Sequence, residues 1–216
     1  MRKLQWAAIA IVVITFIVAL LARPMLPSRV AMHWDINGRA NGFSGSGFGA
    51  FFMPVLEALL VGLFYFLPSI DPMKKNYAAF LGWYDGLVVM ITGFMLYVYL
   101  VTLAINMGYP LNIMQCLAPG FAVLFFYMGM LMEKAKQNWF VGFRTPWTLS
   151  SPRVWDKTHA LAGKMFKAAG VVALIGIVFP RIGLMASIAV VVAAAVAGFV
   201  YSYVEYRKEN KGKKKK

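Results

Sequence analysis

Residues 138–160 read NWFVGFRTPWTLSSPRVWDKTHA, the longest polar interruption in a chain otherwise made of apolar runs. Three tryptophans (Trp139, Trp147, Trp155), two arginines, a Thr-Pro and a Ser-Ser-Pro stand together in it. Ser151 suits a helix N-cap, and Pro152 suits the first helical position, where its missing N–H costs nothing. From there Val154, Trp155, Thr158, Leu161, Ala162 and Met165 share one face at helical spacing, while Arg153, Asp156, Lys157, Lys164 and Lys167 fall largely opposite. That pattern predicts an amphipathic helix lying in the headgroup plane, an interfacial segment over 138–164. Thr145-Pro146 disfavours helix at Thr145, so the stretch before Ser151 is expected to be extended or turn-like. Two readings stand: a membrane-edge anchor whose tryptophans join an aromatic belt, or a surface that docks a partner.

Working outward, the flanks are membrane spans. The chain is 61% hydrophobic and only 14% charged, with a mean hydropathy of +0.67. That composition excludes an ordinary soluble domain. Residues 4–22 carry no charge and nearly match a hydrocarbon core of ~30 Å at ~1.5 Å per residue. The run exceeds the usual signal-peptide core and lacks its small-residue cleavage pattern, so it reads as a retained first span. Further spans are expected at 48–67, 80–104, 113–132, 165–179 and 184–203, the fifth being short enough that the amphipathic helix should run straight into it. Pro54 and Pro119 are tolerable where neighbouring helices satisfy the freed carbonyls. In the last span Ala194 and Gly198 form a small-xxx-small pair, suited to close helix packing and, as a lesser reading, to a homo-oligomer. The single cysteine, Cys116, lies in an apolar run and excludes both an intrachain disulfide and a cysteine metal site.

The expected architecture is therefore all-α: a polytopic membrane bundle of six transmembrane helices with a cytosolic-side interfacial helix. Residues 1–109 would form an N-terminal membrane region with an extracytoplasmic loop at 23–50, residues 110–206 a second membrane region, and 207–216 a basic tail. If the N-terminus is cytosolic, 18 of the 22 lysines and arginines lie inside and four (Arg23, Arg29, Arg39, Arg181) outside. That bias sets an N-in/C-in orientation. The same placement answers the net charge of +14: the cations flank helices and meet anionic lipid, and no direct nucleic-acid partner is expected.

Three further features carry chemistry. In the outer loop, MHWDINGRANGF places His33, Trp34 and Asp35 before two turn signals, Asn37-Gly38 and Asn41-Gly42. Such a loop can contact an extracellular peptide; alternatively Trp34 is an interface anchor and His33 an ordinary loop hydrogen bonder. One histidine with Asp35 and Asn37 is a weak ligand set, and no metal or other cofactor is expected. Inside the spans stand two carboxylates, Glu57 and Asp85, which should face the bundle interior. Arg144 or Lys164 is the expected partner for Asp85, and Tyr or Asn side chains for Glu57. They also admit a second class of function, a small proton- or ion-linked transporter or channel. The only histidines, His33 and His159, fall on opposite faces, so no shared catalytic centre and no enzyme activity are expected; His159 reads as a polar-face or interfacial residue.

The run NWFVGFRTPWTLSSPRVWDKTHALAGKMF closely resembles the signature of the SdpI family of bacterial membrane immunity proteins. Two more stretches, LPSRVAMHWDINGRANGF at 26–43 and DPMKKNYAAF at 71–80, are similar to the domain often found ahead of it. The resemblance implies a plasma-membrane protein that protects its cell against a secreted toxic peptide and relays the peptide's presence by holding a soluble transcriptional repressor at the membrane. It also implies a division of residues. His33, Trp34, Asp35, Asn37, Gly38, Asn41 and Gly42 would sense the peptide outside. Asn138, Phe140, Gly142, Arg144, Thr145, Pro146, Trp147, Ser151, Trp155, Lys157 and His159 would dock the cytosolic partner. Phe143 and Ala160 depart from the family's pattern.

Overall fold

The computed structural model describes residues 2–213. Six helices are long and apolar enough to cross a membrane: α1 Lys3–Ala22, α2 Ser46–Ile70, α3 Leu81–Asn106, α4 Ile113–Lys134, α6 Pro152–Ala173 and α7 Pro180–Lys213. A five-residue helix, α5 Pro146–Ser150, precedes α6. Three local signals start these helices where they do. Asn112 accepts from the amides of Met114 and Gln115 at the head of α4. Thr145 and Thr148 form a reciprocal capping box on α5, with Pro146 at its first position. Ser151 accepts from the Val154 amide and caps α6.

Helices α1, α2 and α3 pack on one another, as do α4, α6 and α7, and α3 against α4 joins the two groups. Helices α4 and α6 cross closely, and a Cβ on Gly129 would sit 2.6 Å from the Gly163 carbonyl oxygen. Backbones this near admit only hydrogen at the crossing, the usual means of tight packing where no water drives helices together. The small pair on α7 is also used within the chain. Ala194 is fully buried against Met132, Ala162 and Phe166, and a Cβ on Gly198 would lie 2.8 Å from the Phe143 ring. It therefore lends no support to a homo-oligomer.

Several expectations are corrected. The outer loop is not a string of turns: it is an antiparallel hairpin of β1 Arg29–Trp34 and β2 Ala40–Gly45. Asn37-Gly38 makes its turn, with Gly38 at φ +77°, but Asn41-Gly42 lies within β2, where the register slips. The segment after Thr145 is helical, not extended. Helix α6 runs unbroken into the fifth span, as expected, yet it does not lie flat in the headgroups. Its apolar face is covered by protein: Val154, Trp155, Thr158 and His159 are all buried, so Trp155 belongs to no aromatic belt and His159 to no polar face. The tail is likewise no separate unit. Helix α7 has 34 residues, about 51 Å at ~1.5 Å each, against a hydrocarbon core of ~30 Å. It continues through Lys213, and the lysines at 214–216 lie outside the described residues.

Candidate functional site

The bundle carries a polar assembly at each end, and the 26 residues of α3, about 39 Å long, separate them. At one end sits the hairpin. The side chain of Asn106, the last residue of α3, acts as an extra strand edge: its Oδ1 accepts from the Ala31 amide at 2.7 Å and its Nδ2 donates to the Ala31 carbonyl at 3.0 Å. Val30 is fully buried, with a Cβ on Gly49 of α2 placed 2.7 Å from it. At the turn, Asp35 Oδ1 accepts from the amides of Asn37 and Arg39, both at 2.9 Å. These bonds, Arg39 first, hold the Asp35 carboxyl below the ordinary carboxylate range.

The hairpin leaves its recognition chemistry outward. His33, Ile36, Asn37, Arg39, Asn41 and Phe43 are exposed. His33 Nδ1 lies 2.5 Å from Asn41 Oδ1, and the Arg29 guanidinium lies 4.8 Å from the centroid of the Phe43 ring. Gly42 is where His33 needs it, since a Cβ there would be 2.9 Å from the His33 Cβ. Because His33 turns to Asn41 and Asp35 to its own turn, the two do not converge on a metal. Trp34 is half-buried beside Ile113 and Met114 of α4. Beneath the hairpin lies a mostly apolar cavity of about 240 Å³, bounded by His33 and Trp34, Met53 of α2, Thr102 of α3 and Met114 of α4.

The opposite end is built differently. Asn138 is fully buried; it accepts from the amides of Phe140 and Val141 at 2.9 and 2.6 Å and donates to the carbonyls of Lys136 and Val141. Asp71, buried in the loop after α2, accepts from the Trp139 amide at 2.9 Å and the Tyr77 hydroxyl at 3.2 Å. Burial pushes the Tyr77 hydroxyl's pKa up. Trp155 stacks on His159 with ring centroids 3.9 Å apart and donates its indole N–H to the Ala135 carbonyl at 2.8 Å. His159 donates from Nδ1 to the Trp155 carbonyl at 2.8 Å and accepts the Phe143 amide on Nε2 at 2.9 Å. A carbonyl only accepts and an amide only donates, so this pairing fixes the neutral Nδ1–H tautomer. Gly142 passes directly over that ring at φ +102°, where a Cβ would lie 2.1 Å from His159 Nε2.

The residues expected to dock a partner therefore divide. Asn138, Thr145, Ser151, Trp155 and His159 are buried; Arg144 and Pro146 are exposed; Phe140, Gly142, Trp147 and Lys157 lie between. Trp147 packs on Phe199 and Tyr203 of α7 at 5.1 and 5.0 Å between ring centroids. Ser151 donates to Glu209 at 2.6 Å, and Glu205 takes both Lys157 and Lys208, so the C-terminal end of α7 is clasped to this assembly. Arg144 donates to the Trp139 carbonyl at 2.9 Å. A polar cavity of about 230 Å³ is bounded by Asn76, Lys136, Trp155 and Asp156.

Asp85 is buried as expected, but its partner is neither Arg144 nor Lys164. Arg2, at the head of α1, grips both carboxylate oxygens, and this bond raises the arginine's own pKa. Glu57 is sealed from water, and among the described residues neither of its oxygens has a hydrogen-bond partner, Tyr and Asn included.

Sequence similarity relates the two ends of the molecule to known proteins. The model of the SdpI/YfhL protein family matches residues 134–203, which begin at the foot of α4 and take in Asn138, Trp147, Trp155 and His159 of the second assembly. This part of the chain is therefore similar to the SdpI/YfhL family. A second match, to a domain of unknown function (DUF1648), covers residues 10–57 and so contains the hairpin. Over 204 residues, 94% of this chain and 96% of the relative, the sequence is 28% identical to "Immunity protein SdpI" of Bacillus subtilis (strain 168). No solved structure matches. With six helices long and apolar enough to cross a membrane and this similarity to a bacterial membrane family, the chain is a multi-pass protein of the bacterial plasma membrane.

Proposed function

We propose that this chain is an immunity protein of the SdpI family: it protects the cell that carries it against a secreted toxic peptide, which the hairpin meets on the outer face. The observation that carries the reading is the end-to-end similarity to the Bacillus subtilis immunity protein. The hairpin supplies a fitting receptor. His33, Arg39, Asn41 and Phe43 are exposed for contact, and His33 also borders the cavity below, whose apolar lining suits a large apolar side chain of the peptide. The test is survival: bacteria expressing the chain should withstand a secreted toxic peptide that kills the same strain without it. Equal killing by the peptides that target other family members' hosts would contradict the reading.

The relay is the finer part of the same proposal. Arg144, Pro146 and Trp147 present an accessible edge of the cytosolic assembly, and this edge would hold a soluble repressor. Arg144→Ala or Trp147→Ala should release the repressor from membrane fractions, and unchanged recruitment in both would refute it. Anionic lipid at the lysine-bearing ends completes the set of partners. For the transporter reading the geometry offers no path, since Asp85 is closed by Arg2 and Glu57 has no accessible surface.

A further inference from the structure

Glu57 is the one acid within the apolar stretch of α2, and nothing described so far uses it. Two bonds bracket its depth. Seven residues outward, the Ala50 carbonyl accepts the Tyr99 hydroxyl at 2.7 Å; seven residues inward, the Phe64 carbonyl accepts the Tyr84 hydroxyl at 2.5 Å. Helices α2 and α3 run antiparallel here, so Glu57 sits midway, level with Thr92 of α3. Its neighbour on α1 is Thr15. Both threonines are buried, and both hydroxyls are spent on their own helices: Thr15 donates to the Ile11 carbonyl at 2.9 Å and Thr92 to the Val88 carbonyl at 3.0 Å.

Among the described residues no cation pairs with this carboxyl. The charged groups of α1 and α3 and their caps are Arg2, Lys3 and Asp85 at the cytosolic end and Arg23 at the outer end, eight residues along α1 from Thr15. The remaining titratable groups of the three helices are Tyr65, Tyr84, Tyr97 and Tyr99. An ionised carboxylate without a counter-charge is far too costly in hydrocarbon. A metal ion would need about six oxygen ligands, and one carboxyl with two threonine hydroxyls supplies too few.

We propose that Glu57 is a proton-binding site, a carboxylic acid holding its proton at mid-membrane, and that it gives the proton up to water only when the seam between α1 and α2 opens. The hairpin is the handle on that seam. Only residues 23–28 separate α1 from β1, and β2 runs directly into α2 at Ser46. The two helices that enclose Glu57 therefore carry the two strands, and a displacement of the hairpin becomes a change in the carboxyl's access to water. This inference rests on the seam and stands apart from the immunity reading.

Infrared spectroscopy on the full chain in lipid nanodiscs tests it. At pH 7 the spectrum should contain a protonated-carboxyl stretch that Glu57→Gln removes and Glu57→Asp shifts. Dicyclohexylcarbodiimide should modify Glu57, identified by peptide mass. Asn106→Leu, which cuts both hydrogen bonds of the hairpin to α3, should speed that modification at least tenfold. A carboxyl band unchanged by both Glu57 substitutions would overturn the proposal, as would protection of Glu57 by sodium at fixed pH. An unaltered rate in Asn106→Leu would overturn the link to the hairpin.

Discussion

The two ends of the molecule use the same kinds of residue for opposite purposes. The hairpin buries small apolar groups, Val30 and Ala31, and turns histidine, asparagine, arginine and phenylalanine outward. The cytosolic assembly buries Asn138, Thr145, Trp155 and His159 and pairs each with a backbone group. A side chain that reads as recognition chemistry in sequence is recognition chemistry at one end and scaffold at the other. Burial decides which, because a sealed polar group must find an internal partner.

This contrast can be broken by substitution, and the largest effects belong to the cytosolic end. Trp155→Ala should cost about 3–5 kcal/mol, the range for emptying a large aromatic site, with the Ala135 carbonyl left unpaired as well. A melting curve in detergent should show it, while the hairpin stays protected from amide exchange. Gly142→Ala follows at about 3 kcal/mol, from the positive φ and the loss of the Phe143–His159 bond; the same melting curve checks it. At the other end, His33→Ala and Asn41→Ala should change stability by less than about 0.5 kcal/mol, as exposed positions do, yet reduce survival in a toxic-peptide challenge. A large loss of stability in these hairpin variants, or none in Trp155→Ala, would erase the distinction.

The smallest effect is a pH dependence. Asp35 has its carboxyl pKa lowered by the amides it accepts. Its contribution to the turn is therefore complete above the ordinary carboxylate range and is lost only as the pH falls below that range, through the lowered folded value. The Asn37 and Arg39 amide resonances should stay fixed from neutral pH down to the ordinary carboxylate range and move only below it.

Much of this was legible in the sequence, and what was not has a physical reason. The spans announce themselves because a 20-residue apolar run has few other uses; the cap at Ser151 and the inward Glu57 follow from local chemistry. The hairpin was hidden because two Asn-Gly pairs four residues apart look like two turns, and only pairing across the register slip makes the second one strand. The amphipathic face of α6 misled for a deeper reason: lipid and protein both bury an apolar stripe, so periodicity does not say which covers it. Arg2–Asp85, Asp71–Trp139 and Asn106–Ala31 join residues 83, 68 and 75 positions apart. No local pattern encodes such pairs, although Asp71 lies in the DPMKK stretch that already resembled the family.

The account depends most on sidedness, because the proposed roles of the two ends require the hairpin outside and the cytosolic assembly inside. Single reporters at exposed positions, Asn41→Cys and Ser150→Cys, in a chain whose native Cys116 is replaced by alanine, would be treated in intact cells with a membrane-impermeant maleimide. Asn41→Cys should be labelled at once and Ser150→Cys only after the membrane is permeabilised. Labelling of Ser150→Cys in intact cells would contradict the account.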